Sequence, residues 1–127
     1  MRRRGAPEQA LQRAVGELLN FCLGGLAWWT HFPAGGGGEL RGRILKGMGL
    51  KAGVPDILIL DAGRAYWLEL KAKRGWVSQV QRECHNALGR AGCSVAIIKD
   101  ANEVIPQLQA WGIALRPGVR LGGAAAE

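Results

Sequence analysis

The sequence lacks several features that would assign a protein to a class at once. No apolar run approaches the roughly 20 residues that a membrane-spanning helix requires, so we expect no membrane partner. The three cysteines are odd in number and form no Cys-x-x-Cys motif, which argues against a disulfide framework and against structural zinc. The two histidines, His31 and His85, are isolated in the sequence and do not support zinc chemistry. The glycines have no three-residue period, which excludes collagen.

Acidic residues are also scarce, because 10 Asp and Glu stand against 17 Lys and Arg, for a net charge of +7 on 127 residues. This excess on a small body indicates a polyanionic partner, most often nucleic acid. The hydrophobic fraction of 48% is ordinary for a globular protein, and the length fits one domain. Arginines follow Met1, but polar residues interrupt what would be the apolar region of a signal peptide. We therefore expect a cytoplasmic protein.

Composition and periodicity divide the chain into a basic N-terminal arm at 1–6, a domain at 7–116 and a flexible tail at 117–127. The predicted elements of the domain are, in order, a helix from Pro7 to Gly24, a strand at Leu26–Phe32, a flexible loop at Gly35–Gly38, a basic loop or irregular hairpin at Glu39–Lys51, a hairpin of strands at Val54–Leu60 and Arg64–Lys71, a helix at about Gln79–Ala91, a strand at Cys93–Ile98, a helix from Asp100 and a short strand at Ile113–Leu115. This order predicts an α/β protein with a central mixed sheet flanked by helices.

Two acids and a lysine interrupt strands that are otherwise apolar. Asp56 comes directly before Ile-Leu-Ile-Leu, and Glu69 and Lys71 lie two residues apart on the next strand, so they share a face. If the two strands form a hairpin, Asp56 lies beside Glu69. Such a group is costly on a half-buried surface unless it binds something. Two carboxylates, a backbone carbonyl and waters suit Mg²⁺ or Mn²⁺, and the lysine would hold or deprotonate a water.

The spacing of these residues resembles the PD-(D/E)xK nuclease motif: Pro55-Asp56, twelve residues, then Glu69-Leu70-Lys71. The flanking residues resemble the VRR-NUC (virus-type replication-repair nuclease) family in particular. They include Gly53-Val54 before the aspartate and Gly75-x-x-Ser78-x-x-Gln81 after the lysine. The resemblance covers roughly residues 8 to 115. It is more specific than the three charged residues alone, because short patterns recur by chance.

The resemblance implies a restriction-endonuclease-like fold and a Mg²⁺- or Mn²⁺-dependent endonuclease that acts on branched DNA such as four-way (Holliday) junctions. Members of the family that stand alone are typical of phages and act as homodimers, so the cytoplasm would be that of the host. No small-molecule cofactor is implied. Two other classes remain open: a flap, nicking or single-strand nuclease, and a non-catalytic DNA-binding module on a nuclease scaffold.

The resemblance also implies roles for single residues. Asp56, Glu69 and the Leu70 carbonyl would bind the metal, Lys71 would position the water, and Gln81 would orient the scissile phosphate or Lys71. Glu8 matches an acid that the family carries in its first helix, and it lies on the apolar stripe of the predicted helix, which turns it inward. The candidate DNA contacts are Arg41, Arg43, Lys46, Lys51, Lys73, Arg74 and Trp76.

The candidate catalytic side chains also have purely structural explanations, and the basic residues Arg41, Arg43, Lys46 and Lys51 suit a merely solvated loop. Asp56 is an acceptable residue at a strand entry, and Glu69 and Lys71 suit the solvated side of an edge strand. Gln81 closes a capping box with Ser78, and Glu8 suits the positive end of a helix dipole. The remaining tryptophans lie in apolar runs and are expected in the core: Trp28, Trp29, Trp67 and Trp111.

Overall fold

The computed structural model describes residues 5–32, 43, 46–49 and 51–119. The strands are β1 Trp28–His31, β2 Ile57–Asp61, β3 Arg64–Leu70 and β4 Ser94–Ile98; the helices are α1 Ala6–Cys22, α2 Gln79–Arg90 and α3 Val104–Ala110, with a 3-10 turn at Ala101–Glu103 before α3. The four strands form one sheet in the order β1-β2-β3-β4. The first two pairings are antiparallel and β3 pairs with β4 in parallel, which confirms the predicted mixed sheet and α/β class.

Helix α1 forms because a favourable start is followed by an apolar stripe. A proline lies in its first turn together with Glu8, near the positive end of the helix dipole. Val15, Leu19 and Cys22 recur at helical spacing and are fully buried. The helix ends at Cys22, where Leu23 takes up an extended backbone. The predicted helix is therefore confirmed.

A two-residue turn joins β2 and β3 and fixes their register. Asp61 pairs with Arg64, and between them Ala62 and Gly63 have φ angles of 51° and 77°. Two successive residues with positive φ make the turn whose twist matches that of the paired strands. Because this turn sets the pairing down to Ile57 and Leu68, the next residues along the two strands, Asp56 and Glu69, come side by side.

The two faces of the sheet have different neighbours. One face forms the core against α1 and α3, and its buried strand residues are Ile57, Ile59, Leu68, Leu70 and Ile98. The other face carries Glu69, because side chains alternate along a strand. Helix α2 lies over this second face and has no buried residue of its own. It makes the crossover that the parallel pairing of β3 and β4 requires. Because none of its residues is buried, the side chains that it presents to the sheet are polar ones such as Gln81 and His85.

Three predicted elements differ from the structure. Arg43, Lys46 and Gly47 are helical and exposed, not part of a loop or irregular hairpin, because the helix propensity of Arg and Lys outweighs the nearby glycines. The segment 113–115 makes a single bridge, from Leu115 to Leu23, instead of a strand. The last helix begins after Asp100 with a 3-10 turn that Asp100 caps, so its α-helical part is shorter than expected.

The prediction of a core position is wrong for Trp28, which is 56% exposed. It lies on the edge strand β1 opposite the exposed Leu60, on the face that α1 and α3 do not cover. Trp29 and Trp111 do pack against the core. The Gly35–Gly38 loop, Arg41, most of the basic arm and the tail beyond residue 119 lie outside the described residues. Within the described ranges, no helix is long and apolar enough to cross a bilayer.

Candidate active site

Asp56 is held at the point where the chain enters β2. Its side chain is only 6% exposed, and its Oδ2 accepts a hydrogen bond of 2.7 Å from the backbone N–H of Leu70. The carbonyl oxygen of Asp56 accepts a second bond of 2.8 Å, from the N–H of Phe32 beyond β1. The carboxylate is thus fixed at the end of β3, beside Glu69, as the sequence spacing predicts.

Glu69 is the most buried acid that the structure describes in this region, with 2% of its surface exposed. It lies near the end of β3, on the face that α2 covers. Its Oε1 lies 3.1 Å from Nε2 of His85, and its Oε2 accepts a bond of 3.3 Å from the Gln81 amide. Glu69 is therefore not a solvated residue of an edge strand, and its strand has neighbours on both sides.

Gln81 takes part both in the helix cap and in the site. Its backbone N–H donates to the Ser78 hydroxyl at 3.2 Å, and its side-chain oxygen accepts from the Ser78 backbone N–H at 2.9 Å. This reciprocal pair is the capping box that the Ser-x-x-Gln spacing predicts. The nitrogen of the same amide reaches Glu69. Gln81 therefore caps the helix and contacts Glu69 with the same amide, and the orienting role expected of it stays a prediction.

His85 corrects the expectation that the histidines are isolated. It follows Gln81 by four residues, so the two side chains leave α2 on one face and meet Glu69 together. Burial, followed by the positive charge of Lys71, lowers the pKa of His85 below its ordinary value, although Asp56 acts in the opposite direction. The spacing from Gln81 was the available signal, but it becomes informative only once α2 is known to lie over Glu69.

Glu8 reaches the same edge of the sheet from α1. Its Oε2 accepts a hydrogen bond of 3.4 Å, near the upper limit for such a bond, from the backbone N–H of Ala72. Ala72 directly follows Lys71, whose own N–H bonds to the carbonyl oxygen of Ile98 at 3.0 Å. The first turn of α1 therefore lies at the end of β3, although 64 positions separate Glu8 from Ala72 in the sequence.

Gly53 brings the segment before Asp56 against the start of α2. Its φ of +82° is a left-handed conformation, and a Cβ at this position would lie 2.6 Å from the carbonyl oxygen of Val80. Only a residue without a side chain permits both the backbone angle and the close approach. In the sequence Gly53 stands out only through the resemblance, and the structure gives the physical reason for a glycine there.

The candidate DNA contacts that the structure describes are exposed. Lys51, Lys73 and Arg74 are exposed, as are the helical Arg43 and Lys46. Trp76 is 80% exposed, on the loop that leads from β3 to α2. The hydrogen bonds that hold that loop include one from the Gly75 N–H to the Ala72 carbonyl at 2.8 Å and one from the Arg82 side chain to the Val77 carbonyl at 3.2 Å.

Comparisons with known proteins agree with this architecture at the level of the fold. No family model matches the chain, and no curated protein matches it. A solved structure described as a VRR_NUC domain protein aligns with a TM-score of 0.64 and 22% identity, over 87% of this chain and 93% of its own. A second, described as a VRR_NUC domain, gives a TM-score of 0.58 and 16% identity, over 84% and 99%. The chain thus has the fold of VRR-NUC domain structures, the restriction-endonuclease-like fold that the resemblance implies.

Proposed function

We propose that this chain is a metal-dependent endodeoxyribonuclease of the VRR-NUC family, whose domain at 7–116 hydrolyses phosphodiester bonds in DNA. The observation that carries the proposal is the pair of buried carboxylates, Asp56 and Glu69, side by side at the ends of β2 and β3. Burying two acids is unfavourable unless they serve a purpose. The fold shared with VRR-NUC structures supports the same assignment.

The donors at this edge suit a hard divalent cation. Asp56, Glu69 and Glu8 offer carboxylate oxygens and Leu70 offers a backbone carbonyl, which are the ligand types that Mg²⁺ and Mn²⁺ prefer. Among the described residues, no group of three or more His, Cys, Asp and Glu side chains is arranged to hold a metal ion by itself. We therefore propose Asp56, Glu69 and the Leu70 carbonyl as ligands, with Glu8 in support. Such a cation supplies positive charge to the phosphate under attack.

Lys71 and Gln81 have different roles in this proposal. Lys71 shares the face of Glu69, and its charge already reaches the site, since it lowers the pKa of His85. We assign it the positioning of the attacking water. The Gln81 amide bonds to Glu69 in the structure, which supports a contribution through that carboxylate; an action on the phosphate or Lys71 stays a prediction.

The exposed cations beside the site would contact the DNA backbone. Lys51, Lys73 and Arg74 are exposed, and we propose that they contact the DNA together with the exposed Arg43 and Lys46; a contact at Arg41, which lies outside the described residues, stays a prediction. Phosphate contacts position a nucleic acid without reading its sequence, which suits an enzyme that recognises DNA structure. We therefore propose branched DNA as the substrate, and four-way junctions are the first substrate to test.

Two further features belong to the proposal. Symmetric cutting of a four-way junction needs two active sites, which a two-fold homodimer supplies; the exposed Trp28 and Leu60 offer such a dimer an apolar surface.

A second candidate, a flap or single-strand nuclease, is favoured by Trp76, since an exposed tryptophan is a platform on which an unpaired base stacks. A cytoplasmic location and a phage origin stay predictions.

The test is a cleavage assay on duplex, flap and four-way junction DNA, with Mg²⁺ and with EDTA. Wild-type protein should cut only with the metal, and Asp56→Asn should lower the rate by roughly 100-fold or more, since it removes a charged ligand. Asp61→Asn is the matched control, because Asp61 lies at the far end of β2 in the hairpin turn. It should cut like wild type.

The outcomes separate the candidates. Wild-type protein that never cuts, or Asp56→Asn that cuts fully, refutes the catalytic proposal and leaves a DNA-binding module. Paired, symmetric cuts on the junction support the dimeric resolvase, whereas cuts confined to flaps support the second candidate and exclude the first as the main activity.

A further inference from the structure

Both oxygens of the Glu69 carboxylate are contacted by the same helix. Gln81 bonds to Oε2 at 3.3 Å, and His85 lies 3.1 Å from Oε1. The two residues are four positions apart on α2, so they form a single surface that faces the sheet. Gln81 belongs to the sequence motif, but His85 lies outside it and has no role in the reaction described above.

Contacts at both oxygens prevent the Glu69 carboxylate from rotating, which a single contact cannot do. The last torsion of a glutamate side chain is broad and roughly two-fold, so a carboxylate with a single partner still turns about its own axis. A second partner from the same rigid helix removes that freedom. Glu69 is 2% exposed, so bulk water does not compete for either contact. The direction in which the remaining lone pairs point is thereby fixed.

The chemistry of the pair defines the state of the imidazole. In the proposed site Glu69 is an ionised ligand that only accepts hydrogen bonds, so the 3.1 Å contact predicts the ring proton of His85 on Nε2. Residues in the second layer of a metal site commonly orient a ligand through such a bond, and their loss weakens metal binding or activity about 10- to 100-fold.

We propose that His85 is a positioning residue, which together with Gln81 fixes the orientation of the Glu69 carboxylate for the reaction. This proposal rests on the proposed nuclease function, in which Glu69 is a ligand. His85 acts through Glu69 and touches neither the DNA nor the reacting atoms.

Two substitutions at His85 and one control test the proposal. His85→Leu removes the donor at similar size, and His85→Gln returns an amide N–H to the region of Nε2. His31→Leu makes the same change at the other histidine, which is exposed on β1. The readouts are Mn²⁺ affinity by calorimetry on the DNA-free protein, kcat and KM for junction cleavage, and the melting temperature.

His85→Leu should bind Mn²⁺ about 10- to 100-fold more weakly and lose kcat by a similar factor, with KM for DNA unchanged. His85→Gln should recover most of both, and His31→Leu should match wild type. A folded His85→Leu that binds Mn²⁺ and cuts like wild type overturns the proposal. So does a folded His85→Gln that is as impaired as His85→Leu, because the lost hydrogen bond would then not be the cause.

A measurement without metal or substrate tests the contact itself. Long-range ¹H–¹⁵N correlation spectra of the histidines should give the Nε2–H tautomer for His85, and Glu69→Gln should shift the His85 signals but not those of His31. An Nδ1–H tautomer at His85 overturns the proposal even if His85→Leu proves unstable. Wild-type protein that neither binds Mn²⁺ nor cuts DNA refutes the proposed function instead, which is a distinguishable result.

Discussion

At the scale of the residue, Gln81 joins the start of a helix to the site. One end of its amide accepts from the Ser78 N–H at 2.9 Å, and the other donates to Glu69 at 3.3 Å. The Ser78 hydroxyl completes the capping box by accepting from the Gln81 backbone. A side chain held at one end has little freedom left at the other, so the cap prepares the contact with Glu69.

The effect of the helix cap and the effect of the contact with Glu69 can be distinguished by mutation. Ser78→Ala removes the cap acceptor and leaves the amide, so it should cost about 0.5–2 kcal/mol of stability with little change in cleavage. Gln81→Ala should cost a similar amount of stability but also lower kcat by roughly tenfold or more, because Glu69 loses a partner. Urea unfolding and the cleavage assay measure the two effects. Equal activities in the two variants would mean that Gln81 only caps the helix.

Sequence reasoning succeeded for residues whose chemistry and spacing are both unusual. Asp56 and Glu69 stand out because they interrupt apolar strands, and a two-residue turn brings them together through local pairing. His85 does not stand out, because a histidine on a polar helix is ordinary there. Its importance depends on which face of α2 meets the sheet, and long-range packing decides that. The prediction that Trp28 lies in the core is wrong for the same reason, since the exposure of Trp28 depends on what covers the sheet.

At the scale of the element, Gly53 sets the distance between the strand entry and α2. The space that a Cβ would need at Gly53 is occupied by the backbone of Val80 and Gln81, at 2.6 Å and 3.0 Å. The segment that carries Asp56 therefore lies directly on the first turn of the helix that holds Glu69. The two carboxylates are positioned by one close backbone contact as well as by the hairpin.

Gly53→Ala should therefore damage both stability and activity. A left-handed backbone costs a residue with a Cβ about 1–2 kcal/mol, and here the clash with Val80 adds to it and moves Asp56. Gly63→Ala is the matched control, because Gly63 has a similar φ of +77° but nothing within 4 Å of a new Cβ. Gly63→Ala should lose only the stability that the left-handed backbone costs, and it should cleave DNA like wild type. Urea unfolding and cleavage rates measure the difference, and a Gly53→Ala variant no worse than Gly63→Ala contradicts this account.

The elements themselves were predictable to the extent that their signals are local. Helix α1 follows from the spacing of its apolar residues, and α2 from Ser78 and the left-handed Gly92 that ends it. The helical residues around Lys46 were missed because nearby glycines weaken the pattern. The segment 113–115 was overinterpreted, since an apolar triplet pairs at only one position when a single bridge partner, Leu23, is available.

At the scale of the whole molecule, the two ends of the strands carry different charged groups: carboxylates and cations at one end, and arginines at the other. The site carboxylates lie at one end of β2 and β3, followed by the exposed Lys73 and Arg74. Arg64 and Arg90 lie at the opposite end, where β3 begins and α2 finishes. In the proposed function the net charge of +7 would attract DNA to the whole surface, but only the cations beside the carboxylates would hold a phosphate near them.

Because the carboxylates lie at only one end of the strands, we expect DNA affinity to depend differently on salt in two variants that lose the same charge at opposite ends. In an Asp56→Asn background, which prevents cutting, replacing Lys73 and Arg74 by Gln should weaken junction binding and make the plot of log K against log salt less steep, by about 0.9 for each lost phosphate contact. Replacing Arg64 and Arg90 by Gln removes the same charge from the far end, so it should leave the slope nearly unchanged and lower the affinity only through the weaker overall attraction. Fluorescence anisotropy over a range of NaCl concentrations measures both. Equal slopes in the two variants would mean that the DNA contacts no particular end of the sheet, and the site would then lack the substrate surface that the proposed reaction needs.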